Sequence, residues 1–469
     1  MTHPGLDRAR VRDATLRLAL PLARRVGDSH LIDDPELLAA FGKDESHVPP
    51  ATPDLVLKAQ SEAHVIAALQ LAAEYGVPVV PRGAGTGKSG GAIPIVGGLV
   101  LDTTALNQVL DVDRHNLLAV VQPGLITGDF QAHLEGLGLF YPPDPNSLET
   151  CTLGGNAAHN AGGPRAFKYG VTRNYVMATR TALMGGDVLA TGTRTIKRAA
   201  GYDLTSLLVG SEGTLGVFTE LTLRLVVQPT HLSTLLICMG DEPAAGRAIA
   251  QIIAAGLVPR VLEFMDGTLV QVLREEGVSA IAPGTGALIL AEIDGTSETQ
   301  VEADTLELAE RCEDAGALQV LMARHGAERE QLWAARRLLS EAIKSRGKYK
   351  VSEDIVVPRA AADELLQGLR ALNEKHSALV AAYGHAGDGN FHVNILWDDP
   401  DYRPDAVVDD VFALVWSLRG TITGEHGVGL SKKAYLPKEQ SAPLIDAQRR
   451  IKHALDPLGL LNPAKIFAP

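Results

Sequence analysis

Three glycine-dense segments in the first half of the chain constrain its fold more than any other feature. They span residues 83–98, 154–170 and 210–216 of 469. Glycine has no Cβ, so its backbone can approach a ligand closely and aim several N–H groups at one anion. Three segments that converge on one ligand explain this pattern better than three separate flexible loops, which are the alternative.

The first segment, PRGAGTGKSGGA at residues 81–92, follows a predicted helix and a short buried strand. Ser61 is placed to cap the helix and Gly76 to end it, and VPVV is the strand. The segment does not match the dinucleotide pattern GxGxxG, because Lys88 stands where the third glycine belongs, and it has no GK[ST] ending in register with a P-loop. Its small residues and hydroxyl groups still suit a pyrophosphate. A flexible surface loop is the alternative for this segment alone.

The two later segments are also expected to form loops against a ligand. Residues 142–170 read PPDPNSLETCTLGGNAAHNAGGPRAFKYG, with paired glycines among small polar residues. Such a run favours neither helix nor strand, so we expect a large flat cofactor to hold its backbone. Residues 207–225, LLVGSEGTLGVFTELTLRL, are expected to form two apolar strands joined by a tight glycine turn.

Composition places the chain among soluble globular proteins. The net charge of −13 argues against an extended nucleic-acid footprint, so no nucleic-acid partner is expected. No stretch of about 18 apolar residues is present, so no membrane span is expected. Three scattered cysteines suit a reducing compartment, and we expect a cytoplasmic protein. The segment from Asp7 to Val26 is expected to be a surface helix, with a targeting peptide as the alternative.

The pattern changes near residue 228, where apolar runs begin to alternate with longer helical stretches. TLLICMG and ALILAEIDG predict strands, and SETQVEADTLELAERCEDAG predicts a helix. A long helical stretch at 328–346 follows, and APLIDAQRRIKHALDP predicts a helix near the C-terminus. Alternating strands and helices indicate a second layered domain of the α+β or α/β class.

The stretch GHAGDGNFHV predicts a β-hairpin that brings two histidines together. Asp-Gly favours a two-residue type I′ turn, and with Asp388 and Gly389 at the turn, His385 faces His392. Directly opposed residues have Cβ atoms about 5 Å apart, near enough for two imidazoles to share one divalent ion. Period-two alternation puts Asn394 on the face of His392. A pair of ordinary core or surface histidines is the alternative.

The segment TGEHGVG supplies two further candidates, Glu425 and His426. With His385 and His392, Glu425 completes a set of three ligands typical of an open catalytic metal site, in which water or substrate takes the remaining positions. His426 remains beside this set as a candidate base, because an imidazole with a pKa near neutrality can take a proton.

Four stretches of the first half resemble, in order and spacing, the PCMH-type FAD-binding domain of the vanillyl-alcohol oxidase superfamily. They are PRGAGTGKSGGA, PPDPNS, TLGGNAAHNAGG and GYDLTSLLVGSEGTLGVFTE, between about residues 50 and 228. The resemblance implies that the phosphate loop is formed by Pro81, Arg82, Gly83, Ala84, Gly85, Thr86, Gly87, Ser89 and Gly90. It implies that the flavin and ribityl side is lined by Pro143, Asp144, Thr152, Gly155, Asn156, Ala158, Asn160 and Gly162. It implies that the adenine and ribose end, or its support, comes from Glu212, Gly213, Gly216 and Val217, with Asn462 as a further cofactor residue.

The cofactor implied by this resemblance is FAD held without a covalent bond. Some members of the superfamily attach FAD through a histidine of the first loop, and PRGAGTGKSGGA contains no histidine.

The second half resembles the flavin-linked D-2-hydroxy acid dehydrogenases, which include D-lactate and D-2-hydroxyglutarate dehydrogenases. The matching stretches are LWAARR, EDIVVPRA, GHAGDGNFHVNIL, TGEHGVGLSKK and LNPAKIF. The resemblance implies that zinc or manganese is bound by His385, His392 and Glu425. It implies that His426 is the catalytic base and that Arg336 binds the substrate carboxylate; a solvent-facing helix position is the alternative for Arg336. Further substrate-binding residues implied are Ser340, Lys350 and Asn394.

The two resemblances together imply an α+β fold. It consists of a two-part PCMH-type FAD-binding domain and an α/β substrate domain with an antiparallel sheet. The expected parts are a helical segment at 1–50, the FAD-binding domain at 51–228, the substrate domain at 229–425 and a helical segment at 426–469 that returns to the FAD-binding domain.

The expected substrate is D-lactate or a similar short acid, with D-2-hydroxyglutarate next. The D-2-hydroxyglutarate enzymes carry a lysine where this chain has Ser352, and Lys350 lies two residues earlier. Asn394, in contrast, matches the D-2-hydroxyglutarate enzymes. An electron-transfer flavoprotein, a cytochrome or a quinone is the expected electron acceptor, and a homodimer is an option. The alternative functions are a metal-independent FAD alcohol or phenol oxidase and an inactive flavin electron-transfer subunit.

Overall fold

A computed structural model describes residues 6–468, without the side chains at positions 340 and 341. The helices are α1 Arg8–Val26, α2 Pro35–Ala40, α3 Glu62–Tyr75, α4 Thr127–Glu135, α5 Leu153–His159, α6 Ala166–Tyr169, α7 Leu204–Leu208, α8 Glu242–Ala254, α9 Gly267–Glu275, α10 Glu298–Asp314, α11 Gly326–Ala342, α12 Ala362–Lys375, α13 Asp405–Ser417, α14 Leu436–Glu439 and α15 Ala442–Leu455. The strands are β1 Leu31–Ile32, β2 Leu55–Lys58, β3 Val79–Arg82, β4 Leu99–Asp102, β5 Val109–Asp113, β6 Leu118–Val121, β7 Leu139–Phe140, β8 Val176–Ala182, β9 Val188–Gly192, β10 Val217–Arg224, β11 Val226–Val227, β12 His231–Met239, β13 Val261–Met265, β14 Ala287–Gly295, β15 Ala317–Met322, β16 Tyr349–Val356, β17 Leu379–His385 and β18 Asn390–Trp397.

The chain divides into two compact units. The first unit contains the residues up to Gly162, Val171–Gln228 and those from Glu425 onward, and the second contains Gly163–Gly170 and Pro229–Gly424. The second unit therefore includes a short segment, with α6, that comes from the middle of the first unit in sequence.

The first unit is built on two larger sheets and a two-stranded ribbon. One sheet has the strand order β1-β2-β4-β3, with β2, β4 and β3 parallel, and the other is antiparallel with the order β5-β6-β10-β8-β9. The C-terminal segment joins the first sheet, because the N–H of Asn462 donates to the carbonyl of Val79 (2.7 Å) beside a parallel bridge between Val79 and Leu461.

Helix α3 forms as its sequence predicts. Ser61 is the N-cap, and its hydroxyl accepts the N–H of His64 at 3.2 Å. Gly76 ends the helix with a left-handed φ of 69°. The apolar positions at helical spacing, such as Leu69, are buried in the core against α1. A cap, an apolar stripe and a terminal glycine were thus sufficient to place this helix.

Two expectations for the glycine segments were wrong. Residues 153–159, expected to be neither helix nor strand, form α5, because Thr152 caps the helix by accepting the N–H of Gly155 at 3.2 Å. A Cβ on Gly154 would lie 2.5 Å from Pro123, so this glycine allows the helix to pack closely rather than preventing it. Residues 207–209 were expected to begin a strand, but Leu207 and Leu208 belong to α7.

The second unit is built on one antiparallel sheet with the order β15-β12-β14-β13-β17-β18-β16. Helices α9 and α11 cover one end of one face, where Leu273 and Leu339 pack with Leu290 and Ala381 of the sheet. Strands β17 and β18 are buried along almost their whole length.

The expected α+β class is confirmed by these two units. Both combine helices with sheets, and the sheet of the second unit is antiparallel throughout. Among the described residues, no helix is both long enough and apolar enough to cross a membrane.

Candidate active site

The candidate site of the second unit is a group of buried polar side chains on one face of its sheet. Glu263 of β13 stands opposite His385 of β17. His392 of β18 stands between Tyr383 of β17 and Asp354 of β16. Directly opposed residues of antiparallel strands share a face, as do residues two apart on one strand. These five buried residues therefore lie on one face of the sheet, in two adjacent rows across four neighbouring strands.

The hairpin that carries the two histidines has a register different from the one predicted. His385 pairs with Asn390 and His392 with Tyr383, so the expected pairing of His385 with His392 was wrong by two residues. A slip of two residues leaves each side chain on its predicted face. The two imidazole rings are therefore still neighbours, with centroids 5.3 Å apart and ring planes perpendicular.

The predicted register failed because the turn has four residues instead of two. The N–H groups of Asp388 and Gly389 both donate to the carbonyl of His385, at 3.2 and 3.1 Å. The Asp388 side chain accepts the N–H of Asn390 at 3.2 Å, a local bond that closes the longer turn. Gly389 has a φ of 82°, which explains why glycine stands there.

Glu263 links one of these histidines to an arginine. One carboxylate oxygen accepts a hydrogen bond from Nε of Arg336 at 2.6 Å, and the other contacts Nδ1 of His385. Burial alone would raise the pKa of Glu263, but the neighbouring charges and hydrogen bonds of His385 and Arg336 outweigh it and lower the pKa to about 2. A carboxylate on Nδ1 fixes the ring and presents Nε2, which is a common arrangement for histidines that bind metals.

Arg336 is buried, so the solvent-facing alternative for this residue is wrong. It is 4% exposed, whereas the side chain of the adjacent Arg337 is 58% exposed. Its guanidinium carbon lies 4.4 Å from the ring centroid of Tyr383. Within the described part of the chain, its buried Nη2 has no hydrogen-bond partner. The group fits a carboxylate ligand, because a buried guanidinium nitrogen needs an acceptor.

The other predicted substrate residues lie near β18 or outside the description. Asn394 is fully buried and on the face of His392, and its Nδ2 donates to the carbonyl of His392 at 3.2 Å. Its Oδ1 is buried without a hydrogen-bond donor among the described residues. On β16, Ser352 pairs with Asn394, and Lys350 with Leu396. The Ser340 side chain lies outside what the structure describes.

Glu425 is the residue joined directly to Gly424, the last residue of the second unit. The backbone N–H of Gly424 donates to a carboxylate oxygen of Asp354 at 2.8 Å. His385 and His392 place two imidazole rings side by side in the second unit, and Glu425 is the carboxylate that follows Gly424 in the chain. Two imidazoles and one carboxylate suit zinc or manganese and leave coordination positions for water or substrate. The donor set therefore fits a divalent metal.

His426 follows Glu425 and lies in the first unit. Its Nε2 is 3.8 Å from a carboxylate oxygen of Glu425, and its backbone carbonyl accepts the hydroxyl of Ser89 at 2.9 Å. Glu425 also lies beside the glycine pair of the second segment, because a Cβ on Gly162 would be 3.0 Å from its carboxylate.

The loop after β3 in the first unit presents a run of backbone donors. The N–H groups of residues 83–87 donate no hydrogen bond to any atom of the described chain, although the loop is half buried. Gly85 has a φ of 77°, and a Cβ on Gly83 would lie 2.4 Å from the hydroxyl of Thr152. Consecutive N–H groups without acceptors form a concave site suited to a phosphate. The loop therefore fits the pyrophosphate of FAD.

Other predicted cofactor residues use their side chains to hold the first unit together. Nδ2 of Asn156 donates to the hydroxyl of Thr127 at 2.7 Å. The carboxylate of Glu212 accepts the N–H groups of Val428 and Gly429, at 2.8 and 2.7 Å. These side chains join α5 to the start of α4, and the turn before β10 to residues 428–429.

The remaining cofactor residues are placed around the same loops. Nδ2 of Asn462 donates to the carbonyls of Gly91 (3.1 Å) and Glu212 (2.8 Å), and Val217 is 3% exposed in the core. Residues on or beside α5 are Thr152, Gly155, Ala158, Asn160 and Gly162. The chain before α5 carries Pro143 and Asp144, the loop after β3 carries Thr86, Gly87 and Gly90, and the turn before β10 carries Gly213 and Gly216.

Three buried residues of the site, Glu263, Tyr383 and Asp354, were missed by sequence reasoning. Glu263 stands alone among apolar residues in the strand VLEFM, and a single charged residue in a fully buried strand is a signal of a paired group. Tyr383 contacts both Arg336 and His392, but a tyrosine in an apolar strand carries no comparable signal.

Two known protein families match successive parts of the chain. Residues 53–192 match a family described as FAD binding domain, and residues 228–466 match one described as FAD linked oxidases, C-terminal domain.

Relatives match along nearly the whole chain. A glycolate oxidase subunit, GlcD, of Bacillus subtilis is 40% identical and covers 89% of each chain. A D-lactate dehydrogenase of Anaerostipes hadrus is 36% identical over 92% of this chain and 91% of its own. A D-2-hydroxyglutarate dehydrogenase of Stutzerimonas stutzeri is 34% identical over 93% and 96%. Among solved structures, p-cresol methylhydroxylase with substrate bound has a TM-score of 0.80 at 14% identity, covering 98% of this chain and 97% of its own, which indicates the same fold.

Proposed function

The chain belongs to the family of FAD-linked oxidases, and on that basis we propose that it oxidises a D-2-hydroxy acid to the 2-oxo acid with the help of a divalent metal. It is an FAD-linked oxidoreductase. The proposal concerns the substrate, the metal and the residues that act on them.

The observation that carries the proposal is the Glu263 bridge. Its carboxylate contacts His385, a proposed metal ligand, and Arg336, the proposed partner of a substrate carboxylate. A 2-hydroxy acid carries its hydroxyl and its carboxylate on adjacent carbons, so an enzyme for it needs a hydroxyl-binding group and a carboxylate-binding group at fixed separation. A phenol or a simple alcohol has no carboxylate for the buried guanidinium to bind.

Different residues of the site have different roles in the proposed reaction. Arg336 binds the carboxylate through its buried Nη2, and Tyr383 and Glu263 hold the guanidinium in place. His385, His392 and Glu425 would hold zinc or manganese, which when bound lowers the pKa of the substrate hydroxyl. His426 takes the hydroxyl proton on its imidazole.

The first unit would hold FAD without a covalent bond. The free N–H groups of residues 83–87 support a pyrophosphate there. FAD bound there would supply, at its N5, the acceptor for the hydride of the hydroxyl-bearing carbon. The proposed electron acceptor for the reduced flavin is an electron-transfer flavoprotein, a cytochrome or a quinone. A homodimer and a cytoplasmic location are part of the same proposal.

The favoured substrate is D-lactate or another short acid, with D-2-hydroxyglutarate next. Ser352, opposite Asn394, has only a hydroxyl to offer a second carboxylate. The names of the relatives, which include glycolate oxidase subunit, D-lactate dehydrogenase and D-2-hydroxyglutarate dehydrogenase, support the same group of acids.

The test is anaerobic bleaching of the flavin absorbance. Purified protein is mixed with D-lactate, L-lactate, glycolate, D-2-hydroxyglutarate or p-cresol, as isolated, after EDTA treatment, and after repletion with zinc or manganese. The proposal predicts that a 2-hydroxy acid bleaches the flavin, that D-lactate does so faster than L-lactate, and that EDTA abolishes the reaction until metal is returned. Bleaching by p-cresol with no effect of EDTA would replace it with the metal-independent oxidase, and a flavin that no compound bleaches would favour the inactive subunit.

A further inference from the structure

Asp354 is a buried carboxylate that the proposed reaction does not use. It lies on β16, is fully buried, and stands opposite His392. One carboxylate oxygen accepts a hydrogen bond from Nδ2 of Asn390 at 2.6 Å. The other accepts the hydroxyl of Thr423 at 3.0 Å and the backbone N–H of Gly424 at 2.8 Å.

These donors come from the two chain segments that carry the proposed metal ligands. Asn390 pairs with His385 across the hairpin and lies two residues before His392 on β18. Gly424 immediately precedes Glu425 in the chain. A single carboxylate on a third strand therefore joins the histidine hairpin to the segment that leads into Glu425.

The contact between the two segments is tight. A Cβ on Gly424 would lie 2.8 Å from Nδ2 of Asn390 and 2.7 Å from Val356, so only glycine fits. Val356 and Thr421 exchange backbone hydrogen bonds of 3.0 and 2.8 Å just before this point. The backbone leading into Glu425 is thus fixed by one strand-like pair and by the carboxylate.

We propose that Asp354 is a positioning residue for the metal site: it fixes the backbone at Gly424 and the side chain at Asn390, and through them sets the spacing of Glu425 and the two histidines. The proposal rests on the proposed function, because it requires His385, His392 and Glu425 to bind a metal. Asp354 itself binds neither metal nor substrate. Groups that orient metal ligands typically change metal affinity by about 10–100-fold when they are replaced.

The test uses Asp354→Asn in the full-length flavoprotein. An amide has the shape of the carboxylate but only one acceptor oxygen. Asn390 and Gly424 donate to different carboxylate oxygens, so one of them would face the NH2 group of the amide. Zinc affinity is measured by competition with a chromogenic chelator, together with flavin content and the melting temperature. We expect zinc affinity to fall by about 10–100-fold while flavin content stays at the wild-type level, and we expect added zinc to restore substrate-dependent bleaching.

Asp294→Asn is the matched control. Asp294 is also a buried carboxylate of this sheet, but it accepts hydrogen bonds from Lys168 (2.6 Å) and Tyr169 (2.8 Å), which carry no proposed ligand. Its substitution is expected to leave zinc affinity unchanged even if it lowers the melting temperature by a similar amount.

Wild-type zinc affinity in Asp354→Asn would overturn the positioning role while leaving the proposed function intact. A wild-type protein that binds no divalent metal would overturn both. If Asp354→Asn yields no folded protein, Thr423→Val decides, because it removes one of the hydrogen bonds named above and keeps the side-chain shape. A severalfold weaker zinc affinity in Thr423→Val supports the role, and an unchanged affinity overturns it.

Discussion

The two units present their binding groups in different ways. In the first unit the groups suited to a ligand are the backbone N–H groups of residues 83–87. The side chains of Asn156 and Glu212 form hydrogen bonds within the same unit instead. In the second unit the suited groups are side chains, such as His385 and Arg336, on one face of a sheet. A backbone site should be sensitive to added bulk at glycine, and a side-chain site to the loss of single functional groups.

The largest effect is expected from Arg336→Gln in the second unit. It leaves Glu263 without one of its two partners and removes the proposed carboxylate contact. Breaking a buried charge pair typically lowers the free energy of unfolding by on the order of 3–5 kcal/mol. Loss of the charge-assisted contact to the substrate carboxylate should lower kcat/KM by about a hundredfold. Kinetics with an artificial electron acceptor and a melting curve measure this.

The control for this variant is Arg337→Gln on the same helix. Arg337 is exposed and pairs with Glu330 at the surface, so kinetics and stability should stay at the wild-type level. Equal kinetics in the two variants would remove Arg336 from the substrate site.

A smaller effect is expected from Gly83→Ala in the first unit. The new methyl group would lie 2.4 Å from the hydroxyl of Thr152, so the loop must shift. Overpacking of this kind typically costs about 1–3 kcal/mol, and flavin affinity should fall by about tenfold. The flavin content after dialysis measures this. Gly136→Ala is the control, because Gly136 has room for a Cβ and an ordinary φ of −59°. Full flavin retention by Gly83→Ala would contradict the claim that the first unit binds its ligand through backbone groups.

A pH-dependent effect is expected from Lys465→Met in the first unit, as a gain in stability. Burial lowers the pKa of Lys465 to about 7, partly offset by Asp44. The unfolded chain keeps a lysine pKa of about 10.4, so between these values it binds more protons than the folded state, and wild-type stability rises with pH. The gain should therefore be largest near and below about pH 7 and should shrink by up to about 1.4 kcal/mol per pH unit above it.

Melting temperatures near neutral and at alkaline pH test this prediction. The exposed Lys438→Met is the control and should shift the melting temperature equally at both pH values. A gain from Lys465→Met that does not depend on pH would show that the lysine is not neutralised by burial.

The sequence was sufficient where the signal is local. Ser61 and Gly76 placed the ends of α3, and the glycine run placed the loop after β3. It failed where the answer depends on a neighbouring strand. Asp-Gly predicted a two-residue turn, yet the side chain of Asp388 closes a turn of four, and the pairing of His385 moved by two residues. The two candidate histidines are still neighbours, because a register shift of two residues leaves each side chain on the same face of the sheet.

The partners of Glu263 could not be identified from the sequence, because they come from distant parts of the chain. Glu263 lies 122 residues from His385 and 73 from Arg336 along the chain. The pairing of β13 with β17 brings His385 to Glu263, and the packing of α11 on the sheet brings Arg336. The helix α5 was missed because glycine lowers helix propensity, whereas here close packing against Pro123 favours it.

The central claim is that His385, His392 and Glu425 hold a divalent metal that the reaction needs. Its most direct test is the metal content of the wild type, of His392→Asn and of His376→Asn after equilibrium dialysis against zinc or manganese. His376 is a partly buried histidine of the same unit that pairs with Asp410 (2.6 Å). The account predicts one metal ion per chain in the wild type and in His376→Asn, and loss of it in His392→Asn with flavin content unchanged. Equal metal content in all three, or none in the wild type, would contradict it.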